Sequence, residues 1–217
     1  MRKLPALLLL GCSLSSSGCM IETISGSGNI RTEPRTVSDF SAVSLSGFGQ
    51  VTIEQTGTES LAITTDDNLL PYIRTEVVGR TLELGFRDSM TNVRPTKDIV
   101  FKLTVKTLDG LDVSGSGRID AKGIDQDRLK VGISGSGELA AQGTTNDLDV
   151  DISGSGRYRG EDLKSKRASV DISGSGSAVV ATSDRLSVDV SGSGSIAYIG
   201  DPQVTQHILG SGSVHKR

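Results

Sequence analysis

Four aspartates recur at one position of a repeated segment, Asp112, Asp151, Asp171 and Asp189, with Gly132 and His207 at the same place in two further copies. Carboxylates at regular intervals could serve as an acid and base pair on a polysaccharide, or offer oxygens to a hard cation such as Ca²⁺. A catalytic site, however, breaks a repeat with unique residues, whereas these acids follow it. The column therefore reads first as a solvated face of a repetitive fold, with no metal site and no catalytic residue expected. The most atypical cluster in the repeats is Arg157, Tyr158 and Arg159, residue types that suit contact surfaces. With Asp151, Asp171 and Asp189 they make the candidate binding face, and solvated strand residues are the other reading of the same cluster.

Other chemistry lacks raw material. The chain has only two histidines, His207 and His215, and two cysteines, Cys12 and Cys19, so a zinc site, a Cys/His pair or a Ser/His/Asp triad would rest on a single imidazole. No cofactor is expected. The formal charge is −3, without a basic stripe, which argues against nucleic acid as a partner. A Gly-Ser-Gly run can also cradle phosphate, but no Lys-Ser/Thr follows and no strand-to-helix change is indicated.

The elements that carry these residues repeat. A Ser-Gly-Ser-Gly core starts at Ser114, Ser134, Ser153, Ser173 and Ser191, and Leu209-Gly210-Ser211-Gly212 is a degenerate sixth copy; successive starts lie 20, 19, 20, 18 and 18 residues apart. That period is too short for helical pairs and fits one turn of a β-solenoid. Before each core, apolar and polar residues alternate in the strand period: Leu129, Val131 and Ile133, then Leu148, Val150 and Ile152, then Val170 and Ile172, then Leu186, Val188 and Val190. Stacked in register about 4.8 Å apart, such strands put small aliphatic side chains inside and aspartates outside. A narrow aliphatic interior also accounts for 27 glycines, no Trp and 3% aromatic residues in a chain of 217. Upstream, Val51 and Ile53, Leu61 and Ile63, Leu82 to Phe86 and Ile99 to Val105 alternate less regularly, with turns at Gly57, Asp66-Asp67-Asn68, Gly79 and Pro95. Leu45-Ser46-Gly47-Phe48-Gly49-Gln50-Val51 reads as a decayed copy of the repeat and Ser25-Gly26-Ser27-Gly28 as another, so that the solenoid would begin near the N-terminus.

The expected fold is thus all-β, a parallel β-solenoid with rungs of about 19 residues preceded by a less regular β-rich segment. The expected organisation is a signal peptide over residues 1–18, an anchor and lead-in strand over 19–37, an irregular β-rich part over 38–110 and the repeats over 111–217. The signal is read from Arg2, Lys3 and the short apolar run Leu4 to Leu10, too short to span a bilayer. Ser15-Ser16-Ser17-Gly18-Cys19 resembles the lipobox of bacterial lipoproteins, in which Cys19 would be acylated, palmitate among the chains, and become the mature N-terminus. Ser16 departs from the usual aliphatic residue, and Leu9-Leu10-Gly11-Cys12 is the alternative. Met20 in place of Asp implies, by the same resemblance, the outer rather than the inner membrane.

Phe40-Ser41-Ala42-Val43, the Leu45 to Val51 segment, Asp66-Asp67-Asn68-Leu69-Leu70-Pro71 and the Ser-Gly-Ser-Gly rungs together resemble the head GIN domain family, labelled putative autotransporter adhesins, over about residues 38 to 215. The resemblance implies an exported bacterial protein, often a lipoprotein, with a solenoid-like fold, and it carries no catalytic motif. Two function classes follow. One is a non-enzymatic cell-envelope lipoprotein, an adhesin or binding scaffold that presents solenoid faces to a glycan or an envelope protein and meets the membrane through its N-terminal lipid. The alternative is a polysaccharide-active enzyme of the parallel β-helix type.

Overall fold

The computed structural model describes residues 23–87 and 92–217. The expected signal segment, Cys12 and Cys19 lie outside the described residues. What is described is nearly all strand, with one 3₁₀ turn at Leu70–Tyr72.

The repeats form the ladder that their alternation demands. Ala42–Gly47, Gly110–Gly115, the last part of each of Arg118–Gly135, Glu138–Gly154, Arg157–Gly174 and Ser177–Gly192, and then Gln203–Gly210 stack in parallel. Register is fixed by sequence identity at each level: Ser46, Ser114, Ser134, Ser153, Ser173, Ser191 and Leu209 stand opposite one another. Inside run two buried columns, Leu45, Val113, Ile133, Ile152, Ile172 and Val190 beside Val43, Leu111, Val131, Val150, Val170 and Val188. Slipping any strand by one residue would turn these columns outward, at about 1.5–3 kcal/mol for each side chain exposed.

Each core is a corner, and its two glycines do different work. In the core at Ser173, Gly174 has φ +125°, and a Cβ there would sit 2.5 Å from the carbonyl oxygen of Gly154 in the preceding rung. Gly176 faces inward, where a Cβ would come within 2.6 Å of the Ile152 Cγ2. Hydrogen bonding continues through the corner, with Ser155 N–H donating to Gly135 O at 2.8 Å and Arg157 N–H to Gly137 O at 2.9 Å. The chain then resumes as a second stacked side: Gln50–Gln55, the first parts of the four long strands, Ser195–Ile199 and Ser213–Lys216.

The Leu45 to Val51 copy is the first rung, with Phe48 in place of the second serine, so the ladder reaches back across the boundary expected at residue 111. Residues 56–109 are inserted between this rung and the next, and they cap it. Thr81–Phe86 pairs in parallel with Ala42–Gly47, and Val100–Val105 with Gln50–Gln55. Beyond them Ile73–Val78, Ser60–Asp66 and Ile30–Arg35 add antiparallel strands. Ser25-Gly26-Ser27-Gly28 is not a rung. Thr23–Ser25 pairs with Asn92–Arg94 in a separate two-stranded sheet, because the segment lacks the aliphatic alternation that would seat it on the ladder.

Candidate functional site

The aspartate column is real. Asp151, Asp171 and Asp189 stand opposite one another on successive rungs, with His207 beside Asp189 and Gly132 between Asp112 and Asp151. Gly132 leaves the space into which the Asp112 carboxylate leans. The result is a shallow groove of about 310 Å³ between the aspartates and the outward serines Ser114, Ser134 and Ser153. Burial, then the neighbouring Asp151 charge, pushes the Asp112 carboxyl above the ordinary range. Asp171 is pushed the same way by burial and by Asp151 and Asp189 on either side. Among the described residues no group of three or more His, Cys, Asp or Glu is placed to hold a metal ion.

Arg157, Tyr158 and Arg159 do not join this face. They follow the Gly154 corner and belong to the second side. Tyr158 is fully buried and is a core residue, which corrects its assignment to a binding surface. Its direction was available from the period: Ile152, Gly154, Gly156 and Tyr158 are each two residues apart, and inward parity runs unbroken through the corner. Arg159 Nε lies 2.7 Å from Glu138 Oε1, and Arg118 Nη2 lies 2.5 Å from Glu138 Oε2, so one carboxylate bridges guanidinium groups from the rungs before and after its own. A groove of about 390 Å³ passes Arg159, bounded by Asp120, Lys122 and Asp162.

After the Ser-Gly-Ser-Gly corner and a second bend, where Gly123 and Gly143 have positive φ, a third corner turns each rung back toward its aspartate strand, and a wide concavity lies there. It holds about 940 Å³ and crosses residues 125–127, 144–146, 161 and 164–166, 181–183 and 199–201 of five successive rungs. At about 4.8 Å per step it is roughly 19 Å long. Its cause is rung length. Pairing slips just before it, between Ala121 and Ile124, Ala140 and Gln142, and Gly160 and Lys164, and within it between Ser165 and Arg167, so longer rungs overhang shorter ones. The unequal spacing of the repeat was the sequence signal for this groove, and residue types alone did not reveal it.

Polar side chains line it in an organised way. Asn146 Nδ2 donates to Asp127 Oδ1 at 2.8 Å and Thr144 Oγ1 to Asp125 Oδ1 at 3.3 Å. Thr182 Oγ1 and Ser165 Oγ donate to backbone carbonyls of Lys166 and Ala181, each at 3.0 Å. Glu161 Oε2 is buried without a hydrogen-bond partner. The acids Asp125, Asp127, Glu161 and Asp201 outnumber Lys164 and Lys166.

Residues 39–202 match the family model described as "Putative auto-transporter adhesin, head GIN domain". The chain belongs to the head GIN domain family. Among solved structures, a putative adhesin from Bacteroides fragilis is 22% identical with a TM-score of 0.73, covering 89% of this chain and 100% of its own. A putative lipid binding protein from Parabacteroides distasonis is 25% identical with a TM-score of 0.61, at 90% and 100% coverage. A putative adhesin from Parabacteroides merdae is 23% identical with a TM-score of 0.56, at 90% and 99% coverage. None of the curated proteins matches the chain.

In this head GIN domain the Asp66-Asp67-Asn68 segment has a definite task. The fully buried Asp66 carboxylate accepts from Gly28 N at 2.8 Å, Thr96 N at 2.9 Å and Thr96 Oγ1 at 2.7 Å. Burial pushes this carboxyl up, but the hydrogen bonds from Thr96 and Gly28 outweigh it and hold it below the ordinary range. Asp67 accepts from Ser27 Oγ, while Asn68 takes Ser27 N–H on its Oδ1 and donates its Nδ2 to Ser25 O at 2.8 Å. Gly26 is required because a Cβ would strike the Asp66 carboxylate. The Ser-Gly-Ser-Gly copy nearest the N-terminus is therefore held by a clamp of side chains.

Proposed function

We propose that this head GIN domain is a non-enzymatic, lipid-anchored protein of the cell envelope, attached to the outer membrane through Cys19, that binds an extended neutral glycan along its third corner. The observation that carries the reading is the five-rung groove. A groove parallel to the solenoid axis suits a linear polymer, and its floor consists of strands already paired on both sides, which leaves no free edge for an added peptide strand. What it offers instead are hydroxyl, amide and carboxylate side chains, the partners of sugar hydroxyls, with an acidic balance that disfavours polyanions. Family membership supports an adhesin-like role and an envelope location, and the relatives described as adhesins or as lipid binding support binding rather than catalysis.

The test is calorimetric titration of the purified protein with soluble envelope glycans. The variant S183W would obstruct the groove on the fourth of its five rungs. Binding by the parent and its loss in S183W, at unchanged circular dichroism, is expected. Binding that survives in S183W overturns the placement in the groove, and release of sugar fragments from any polymer overturns the non-enzymatic reading. Mass spectrometry of the mature N-terminus tests acylation at Cys19 against Cys12.

A further inference from the structure

The chain contains seven aromatic residues, three Tyr and four Phe, and three of them gather at one end of the molecule. Phe40, Phe101 and Tyr158 are core, and Tyr198 is partly buried far along the ladder. Phe48 and Phe86 pack with ring centroids 5.1 Å apart and planes tilted by 42°, and Tyr72 stands just before the neighbouring strand Ile73–Val78, where its backbone carbonyl accepts from the N–H of Arg87, the residue after Phe86, at 2.9 Å. Phe48 is 36% exposed and Tyr72 39% exposed. Phe48 stands where Ser116, Ser136, Ser155, Ser175 and Ser193 stand in later rungs, so a ring replaces a hydroxyl at an outward corner only on the first rung.

This patch is contiguous with the clamp on the lead-in strand. Asn68, which holds Ser25, is followed directly by the turn that presents Tyr72, and Tyr72 N–H donates to Leu69 O at 3.0 Å. From the other direction, Gln50, two residues after Phe48, donates its N–H to Ile99 O at 2.8 Å, and Ile99 lies three residues from Thr96 on the Asp66 carboxylate. Exposed Arg87, Arg94 and Lys97 border the same end, together with the exposed acids Asp67, which accepts from Ser27 Oγ, and Asp98, which accepts from Gln50 Nε2. Between Cys19 and Thr23 there are four steps of chain, which span at most about 14 Å. A lipid on Cys19 would thus hold this end against the bilayer, and the clamp fixes which surface faces it.

We propose that Phe48, Phe86 and Tyr72 form a membrane-contact surface that enters the headgroup region of an anionic bilayer and sets the solenoid upright on it. The proposal rests on the Cys19 anchor of the preceding section. Aromatic rings with Arg and Lys side chains near them partition into the membrane interface, and the acids at this end, Asp67 and Asp98, already accept from Ser27 and Gln50. An aliphatic anchor alone would let the domain tumble, whereas a second contact at the same end restricts its orientation.

The absence of Trp provides the experiment. Full chains carrying F48W, Y72W or Y198W are purified from membranes, the mass of each N-terminus is determined, and the proteins are reconstituted into vesicles of phosphatidylethanolamine and phosphatidylglycerol with brominated acyl chains. Tyr198 lies five rungs from the first, about 24 Å away. F48W and Y72W are expected to emit at shorter wavelength and lose most of their emission to the bromines, while Y198W keeps its own. With Cys19 acylated, full emission from F48W and Y72W overturns the contact surface and leaves the anchor standing. A blue shift without quenching shows the rings covered by protein, such as a second copy, and also overturns it. Equal quenching of Y198W shows a domain lying flat and overturns the upright orientation. An unacylated Cys19 overturns the anchor and this proposal with it.

Discussion

The ring of Tyr158 fills space that Gly160 leaves open: a Cβ on Gly160 would lie 2.6 Å from the Tyr158 hydroxyl oxygen. Both residues face inward, and the hydroxyl is buried without a partner. Burial, with the Glu161 charge added, pushes the phenol above its ordinary value, so it stays neutral. Removing an unpaired buried hydroxyl is expected to leave stability unchanged or raise it by about 1 kcal/mol in Tyr158→Phe, whereas Gly160→Ala should cost about 2 kcal/mol through overpacking. Urea melts of the two variants check this, and a large loss in Tyr158→Phe would reveal a partner for the hydroxyl.

Adjacent residues on one strand should respond oppositely to a change of polarity. Ile152→Asp places an unpaired charge in the aliphatic column and should cost several kcal/mol, about 3 or more, while Asp151→Ser next to it should shift stability by less than about 0.5 kcal/mol. Equal tolerance in denaturant melts would contradict the inward and outward assignment.

The clamp on the lead-in strand can be opened from one residue. Asp66→Asn replaces an acceptor of three hydrogen bonds with a group that also donates, and the loss should be about 2 kcal/mol or more. Hydrogen exchange at the amides of residues 24–28 should accelerate far more than exchange in the rungs from Gly110 onward. Uniform acceleration would mean that the clamp stabilises the whole domain and not the lead-in strand.

Acid should first strengthen and then weaken the fold. Asp112 and Asp171 have raised carboxyl pKa values, so the folded state takes up their protons before the unfolded state does, and stability grows as pH falls from neutral toward about 4. Asp147, held down by its hydrogen bonds from Arg167, and Asp66, held down by Thr96 and Gly28 against its burial, act in the other direction, and their contribution is lost as pH falls below that value. Melting temperatures across the acid range should therefore pass through a maximum. Asp171→Asn should raise stability near neutrality by about 0.5 kcal/mol, the scale of a like-charged cross-strand pair, and flatten the rise. A variant that melts lower at neutral pH would show that Asp171 has a favourable partner.

Calcium should do no more than salt. A flat column of single aspartates supplies few of the six to eight oxygens that a strong site needs. Millimolar Ca²⁺ is expected to raise the melting temperature no further than NaCl at equal ionic strength. A Ca²⁺-specific increase that disappears in Asp171→Asn would make the acidic face a metal site.

The ladder was legible because one local rule, alternation ending in Ser-Gly-Ser-Gly, specifies strand, register and corner together. Ile152 inside, Asp151 outside and the first rung at Leu45 to Val51 all follow from it. Ser25-Gly26-Ser27-Gly28 satisfies the motif but not the alternation, and its partners Asp66 and Asn68 lie some forty residues away, beyond any periodic reading. Tyr158 was misplaced by residue type, since an Arg-Tyr-Arg triplet suggests a surface while parity required an interior. The third-corner groove is encoded only by differences in rung length, because its walls are made where pairing slips and not by a distinctive residue.

The insertion of residues 56–109 between the first two rungs bears on how the chain assembles. From Gly110 onward each rung meets its predecessor one period later, so its contacts are nearly local and the closure entropy of each step is small. Ala42–Gly47 reaches Gly110–Gly115 only after the whole insert has been spanned. Folding is therefore expected to start among the later repeats and spread backward, with the N-terminal cap closing last. During synthesis the half that emerges first would wait for the half that emerges last, leaving Leu45, Val51 and Ile53 covered only on the side of the inserted strands until the rung from Gly110 appears. That delay keeps the N-terminal portion open the longest.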